Sequence, residues 1–115
     1  MENSNYLNFQ REKNVTIDSI TWYTELPVRI NATSCGILTI KDVDFSQGLI
    51  IIGSFKKLII HNIKGNIFNS HIKCEELELC STSINCLELD NCTFEGLKKV
   101  TVTTSKKFDI QHATI

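Results

Sequence analysis

The sequence lacks most of the features from which a function is usually inferred. It has one proline and one tryptophan, its five glycines are scattered, and no apolar run approaches the length of about eighteen residues that a membrane-spanning helix needs. Neither sign of charge dominates, because 12 basic and 13 acidic residues give a formal net charge of −1. A general nucleic-acid binder would carry a basic stripe, and a phosphate-binding loop would need clustered glycines. We therefore expect neither nucleic acid nor a membrane as a partner.

The amino terminus shows no secretion signal, since the segment MENSNYLNFQREKN has no basic start followed by an apolar run. We expect a soluble protein that stays in the cytoplasm. A chain of 115 residues, 42% of them apolar, suits one globular domain. The predicted division is a single domain over 1–115, with 1–14 as an N-terminal cap or edge and 15–115 as repeats.

What the sequence contains instead is a repeat of short segments whose apolar residues lie two positions apart. This alternation, rich in Val, Ile, Thr and Leu, predicts a strand with one face in the core, and the Asn, Asp, Ser or His that follows predicts a turn. The weakest copy begins at Ile67, and its inward residue is Phe68 or Ile72. The copies are VTIDSI from Val15, VRINAT from Val28, LTIKDV from Leu38, IIIGSF from Ile50, LIIHNI from Leu58, IFNSHI from Ile67, LELCST from Leu77, LELDNC from Leu87, VTVTTS from Val100 and FDIQHA from Phe108.

Every second copy recurs at an even interval, which predicts an all-β fold in the form of a short parallel β-solenoid with two strands per coil of about twenty residues. Like sequences at a fixed interval let each coil place Leu on Leu and Ile on Ile, about 4.8 Å above the coil before. The alternatives are a leucine-rich-repeat-like arc and a β-sandwich. The segments FKKLII from Phe55 and LKKVTV from Leu97 are similar to the L-x-x-L-x-L core of leucine-rich repeats, which implies the arc.

The repeat assigns each strand an inward and an outward face. In the middle coils we expect the inward side chains to tolerate truncation least, and these are Leu58, Ile60, Leu77 and Leu79. Two outward rows follow from the same alignment. They are Thr16, Thr39, Ile59, Glu78 and Thr101 on one strand series, and Arg29, Ile51, Asn69, Glu88 and Asp109 on the other.

The five cysteines indicate a repeat more than a chemical site, because four of them lie six residues apart between Cys74 and Cys92. No C-x-x-C pair of the kind found in structural zinc sites occurs, and an odd count without a secretion signal argues against disulfides. Alignment within the repeat predicts buried thiols at Cys35, Cys74 and Cys92. It predicts exposed positions for Cys80 and Cys86.

No catalytic constellation is indicated by the spacing of titratable residues. The outward Glu78 and Glu88 fall on different strand series, and the pattern fixes no Lys or Arg beside them. A surface zinc site between His61 and Cys80 is conceivable but would need further ligands at close spacing. The histidines lie at polar or corner positions without a paired nucleophile; they are His61, His71 and His112. We therefore predict no enzyme activity, no cofactor and no metal.

Binding is the role that remains, and five residues are predicted to contact a partner. Ile51 and Ile59 are large apolar residues at outward positions in the middle of the sheets, as in a contact patch. Tyr23 lies in a longer connector beside the only tryptophan, and exposed tyrosines often anchor interfaces. The outward carboxylates Glu88 and Asp109 complete the set.

The last strand is predicted to pair with another chain. Phe108, Ile110 and Ile115 continue the alternation to the end of the sequence, and open solenoid ends invite strand pairing. We therefore expect a homo-oligomer, with these three residues on its edge strand. Our first hypothesis is a non-catalytic module that binds another protein, as a small inhibitor, immunity or host-interaction factor. The alternatives are a self-assembling solenoid, similar in behaviour to bactofilin-like filaments, and a carbohydrate-binding β-helix.

Overall fold

The computed structural model describes the backbone of residues 5–22, 24–81, 87–104 and 108–111, and the side chains of these residues except 22, 81, 87, 104 and 108–111. All regular secondary structure in this part of the chain is β-strand, and no helix there is long and apolar enough to cross a membrane. The strands are β1 (Tyr6–Gln10), β2 (Asn14–Asp18), β3 (Thr21–Trp22), β4 (Val28–Lys41), β5 (Asp44–Phe45), β6 (Leu49–His61), β7 (Asn66–Ser81), β8 (Leu87–Glu95), β9 (Lys99–Thr104) and β10 (Phe108–Gln111).

The strands pair in parallel and form two stacks along one axis. The first stack has the order β1-β4-β6-β7-β8-β10 and uses the first halves of the long strands β4, β6 and β7. The second stack consists of β2, the second halves of the same three strands, and β9. A third, shorter line of pairing joins β3 to β5 and Asp44 to Lys64. The chain therefore rises as a parallel β-solenoid of about four turns, and the predicted fold class is confirmed.

The second stack has the predicted register throughout. Each inward residue lies beside its counterpart in the next coil, in the column Val15, Leu38, Leu58, Leu77 and Val100. The four side chains expected to form the middle of the core are buried, with exposed fractions of 0% for Leu58, 1% for Ile60, 1% for Leu77 and 2% for Leu79. Because the alternation is uninterrupted here, the sequence predicts the inward and outward faces of this stack correctly.

The first stack departs from the predicted register between Leu49 and Ile52. Val28 lies beside Leu49 and not beside Ile50, so that Ile30 lies beside Ile51. Ile51 therefore faces the core and is fully buried, while Ile52 is 40% exposed. The prediction that Ile51 faces outward is wrong. The physical reason is that four consecutive apolar residues carry no alternation, and a slip of one residue exchanges the two faces of a strand.

The backbone of β7 and β8 departs from regular strand geometry at Asn69 and Asn91. Both residues are in the left-handed conformation, with φ of 48° and 55°, which asparagine adopts more readily than most residues. The inward side chain that follows Asn69 is Ser70, which is 4% exposed. Its hydroxyl accepts a hydrogen bond from the Ile51 N–H at 2.9 Å and donates one to the Phe68 carbonyl at 2.9 Å. The weakest copy of the repeat is therefore held by a buried polar residue.

The bend after the second stack is also left-handed and repeats in successive coils. Ser19, Asp42 and Asn62 have φ of 57°, 53° and 52° at the equivalent position. The Ser19 N–H donates to the Lys41 carbonyl of the next coil at 3.1 Å, and the Asp42 N–H donates to the His61 carbonyl at 3.0 Å. Hydrogen bonding between coils therefore continues through the bend, and the polar residues of the repeat supply the turn as expected.

The inward side chains of β9 are more exposed than those of the middle strands of the second stack. Val100 and Val102 of β9 lie beside Leu77 and Leu79 and face the same way. They are nevertheless 44% and 47% exposed, although the residues beside them are almost fully buried. Among the strands described, only β7 pairs with β9, so the other edge of β9 has no described neighbour.

Candidate binding site

The outward face of the second stack carries one of the two predicted apolar anomalies. Ile59 points away from the core between the buried Leu58 and Ile60, and its own side chain is half-buried. Its neighbours in the adjacent coils are Thr39 and Glu78. The outward direction of Ile59 is therefore confirmed, and its role in binding stays a prediction.

An ion cluster lies next to Ile59 on this face. Glu78 Oε2 is 2.7 Å from His61 Nε2, and Glu78 Oε1 is 3.7 Å from Lys57 Nζ. The repeat fixed no Lys or Arg of the same row beside Glu78, and Lys57 approaches it from the neighbouring row, where Lys57 lies beside Glu76. All three side chains are about one-third exposed, and such pairs contribute roughly 0.2–1 kcal/mol to stability. The cluster orders the face but provides no nucleophile.

His61 and Cys80 are not joined by further zinc ligands in the described part of the chain. His61 does lie beside Cys80 in the next coil, as the repeat predicts, and Cys80 is half-buried instead of fully exposed. No group of three or more potential ligands occurs among the described residues. Cys86 lies outside them.

The other predicted partner-binding residues belong to the first stack or its connectors. Glu88 is exposed on β8. Asp109 on β10 lies beside Glu88, in the predicted register. Tyr23 falls outside the described residues. Because Ile51 is buried, the structure does not bring these residues together as one surface.

The predicted end strand forms in part. Phe108 and Ile110 lie on β10, which pairs in parallel with β8 through Leu87 and Leu89. Ile115 lies outside the described residues. The strand therefore extends the first stack, and its pairing with a second chain stays a prediction.

The three cysteines predicted to be core residues are buried free thiols, which confirms that part of the interpretation. Burial raises the pKa of Cys74 from 9.0 to about 11. Burial also raises the pKa of Cys92, whose thiol lies 3.5 Å from the Ile67 carbonyl oxygen. Since the thiolate is the reactive form, both groups are neutral packing residues near pH 7. Cys35 and Cys74 occupy equivalent positions in their coils, because both lie beside Phe55.

A concave feature of the described surface runs along the bend between the two stacks. This corner groove has a volume of about 710 Å³ and crosses successive coils parallel to the solenoid axis. We define it by its lining, which is Arg11, Glu12, Lys13, Asn14, Ser34, Cys35, Gly36, Ile37, Ser54, Phe55, Lys56, Lys73, Cys74, Glu75 and Gly96.

Strand pairing arranges these residues in columns along the groove. The central column contains Cys35, Phe55 and Cys74, each beside the next. One flank has the small Ser54 beside Lys73. Small side chains at Ser34, Gly36 and Ser54 therefore leave room along the bend.

Gly36 allows two coils to approach closely on the other flank of the corner groove. A Cβ at this position would collide with the backbone carbonyl oxygen of Lys13 in the preceding coil. The Gly36 N–H donates to the Glu12 carbonyl at 2.8 Å, and the Ile37 N–H donates to the Lys13 carbonyl at 2.8 Å. A glycine is therefore required here for the two coils to pair through their backbones.

The charge of the lining is predominantly positive. Arg11, Lys13, Lys56 and Lys73 are exposed, and none of them forms an ion pair with another residue in the described part of the chain. The acidic lining residues are Glu12 and Glu75, and Glu75 Oε1 is already 3.4 Å from Lys98 Nζ. In a chain whose net charge is −1, the lining therefore has a local excess of positive charge, with four basic residues against two acidic ones.

Sequence reasoning did not identify the corner groove. The basic and small lining residues lie two and four positions before the first inward residue of each copy in the second stack, outside the six-residue segments that define the repeat. Alignment of those positions places Ser34 and Ser54 in one column with Arg11 and Lys73, and Gly36 in another with Lys13 and Lys56.

In comparisons with known proteins, no family model, no curated protein and no solved structure matches this chain.

Proposed function

We propose that this protein is a non-catalytic module that binds another protein, in the manner of a small inhibitor, an immunity factor or a host-interaction factor. The observation that carries the proposal is the corner groove, which is an open feature of about 710 Å³ with apolar residues along its centre and exposed charges at its borders. Binding sites typically combine an apolar lining with a few polar groups that fix orientation. The volume also lies in the range of such sites.

The chemistry of the lining supports binding in preference to reaction. The pKa of the Cys74 thiol is raised to about 11 by burial, so this group is protonated near pH 7 and does not act as a nucleophile. The described cysteines, which are Cys35, Cys74, Cys80 and Cys92, are free thiols. Free thiols fit a reducing compartment, and we propose the cytoplasm as the place of action.

Crosslinking from the groove tests the proposal. A photoreactive amino acid replaces Asn14, which lines the groove, or Thr103, which is exposed on the second stack outside it. We expect the Asn14 variant to give one discrete crosslinked polypeptide that also binds the wild-type protein after purification. The Thr103 variant serves as the matched control. Absence of any such polypeptide, or equal crosslinking from both positions, would contradict the proposal.

Self-assembly is the second candidate, and the C-terminal coil favours it. Val100 and Val102 are inward residues that are 44% and 47% exposed beside an edge with no described partner strand. A second copy stacked on this edge would bury them, as in an end-to-end solenoid. Light scattering with size exclusion over a range of concentrations should then show growth in mass, and substitution of both valines by lysine should abolish it. A monomer at all concentrations would exclude this candidate.

A further inference from the structure

We infer that the corner groove binds an extended, acidic peptide segment of the partner protein. The inference rests on the proposed function and specifies the chemistry of the bound segment. Four basic side chains without described ion-pair partners border the groove, whereas the chain as a whole carries a net charge of −1. Carboxylates of a bound segment would compensate these charges, and Ile37, which is 36% exposed, would contact its apolar side chains.

The spacing of the basic residues fits an extended segment. Lys13, Gly36 and Lys56 occupy equivalent positions in three successive coils, which separates the two lysines by about 10 Å at one strand spacing per coil. Arg11 and Lys73 lie three coils apart, or about 14 Å. Alternate side chains of an extended peptide lie about 6.8 Å apart, so carboxylates two or four residues apart come within reach of flexible lysines. About four residues of peptide span the basic part of the groove.

Recognition in the groove depends on side chains, since the backbone groups of the bend already pair between coils. The Arg11 N–H donates to the Thr33 carbonyl at 2.9 Å, and the Lys98 N–H donates to the Glu75 carbonyl at 2.8 Å. A peptide in the groove therefore does not add a strand to the sheet. This distinguishes the groove from the C-terminal edge, where pairing through backbone groups would ignore sequence.

The lining favours a peptide over the other polyanions. Single-stranded nucleic acids bind where several aromatic side chains provide stacking surfaces, and the only aromatic residue in the lining is Phe55, which is 6% exposed. An anionic polysaccharide would satisfy the charges but would gain little from the exposed apolar side chain of Ile37. A segment that alternates acidic and apolar residues satisfies both parts of the lining.

The test is selection of a displayed library of random linear peptides on the full-length protein, followed by measurement of affinity by fluorescence anisotropy. We expect the selected peptides to be enriched in Asp and Glu that alternate with apolar residues. Their affinity should fall at least tenfold in the double variant Lys56→Glu/Lys73→Glu and by a smaller factor in Lys56→Gln/Lys73→Gln. Added salt should weaken binding, because the groove charges are exposed.

The matched control is Lys41→Glu/Lys99→Glu, which makes the same change in net charge at exposed positions outside the groove. Its affinity should stay within about twofold of the wild type, and circular dichroism should confirm that all variants fold. Selected peptides that are not acidic, or whose binding is unaffected by the groove variants, would overturn the inference and leave protein binding intact. Binding of a carboxylated or sulfated polysaccharide with no selected peptide would overturn both.

Discussion

The two strand stacks are made from alternating segments of the same chain, yet they differ in regularity. In the second stack every inward residue lies beside its equivalent, from Val15 to Val100. In the first stack the register shifts within β4 and between β6 and β7, and left-handed residues interrupt β7 and β8. Continuous alternation therefore accompanies a regular stack, and the segment without alternation accompanies a stack with register shifts.

The corner groove lies where these two stacks meet. The regular stack fixes the spacing of the coils, and the irregular bend supplies small residues and basic side chains at that spacing. We therefore expect substitutions in the second stack to affect the whole fold and substitutions in the first to have local effects. The following predictions measure that difference, beginning with the largest.

Leu58→Ala in the second stack should cause the greatest loss of stability. The side chain is fully buried in the middle coil, and its truncation should lower the free energy of unfolding by about 2–5 kcal/mol. Ile59→Ala on the outward face of the same strand is the control, with an expected loss of less than about 1 kcal/mol. Urea denaturation measures both values. Equal losses would contradict the assigned faces of β6.

Ser70→Ala tests the buried polar residue of the first stack. Removal of its hydroxyl leaves the Ile51 N–H without that acceptor, which should cost about 1–3 kcal/mol. Ser54→Ala is the control, because Ser54 is half-buried and its hydroxyl makes no hydrogen bond recorded in the described part of the chain. If Ser70→Ala were neutral in thermal unfolding, the hydroxyl would not be needed to hold the bulge.

Asn69 tests the left-handed conformation itself. Asn69→Ala should lower stability by about 1–2 kcal/mol, since alanine adopts a φ near 48° with difficulty. Asn69→Gly relieves that strain and loses only the hydrogen bond that the Asn91 amide donates to Asn69 Oδ1 at 2.8 Å. Glycine should therefore be the better tolerated substitution in chemical denaturation. Both variants lose that hydrogen bond, so the reverse order would show that the left-handed conformation does not limit stability at this position.

The sequence predicts the second stack better than the first. The second stack was predicted because alternation there is continuous, so that one alignment fixes the faces of all its strands. Ile51 was misplaced because Leu49–Ile52 contains no alternation. The bulges at Asn69 and Asn91 were missed because an apolar pattern contains no information on φ. The groove and the contact of Glu78 with Lys57 were missed because both join residues of different coils.

The last prediction concerns pH and the central column of the groove. Burial raises the pKa of Cys74 to about 11, so the unfolded chain loses this proton at a lower pH than the folded one. The stabilising contribution of the neutral thiol should be complete below about pH 9 and should decline as pH rises from about 9 to 11. The difference in unfolding free energy between the wild type and Cys74→Ala should therefore narrow across this range. A constant difference would show that the folded thiol is not desolvated.

The most direct test of the central claim is to map where an acidic peptide binds. Amide chemical shifts of the full-length protein would be followed during titration with a short synthetic peptide in which glutamate alternates with leucine and serine. We expect the largest chemical-shift changes along the corner groove, at Gly36, Lys56 and Gly96. Changes centred on Thr39 and Ile59 of the outward face, or no changes at all, would contradict this expectation.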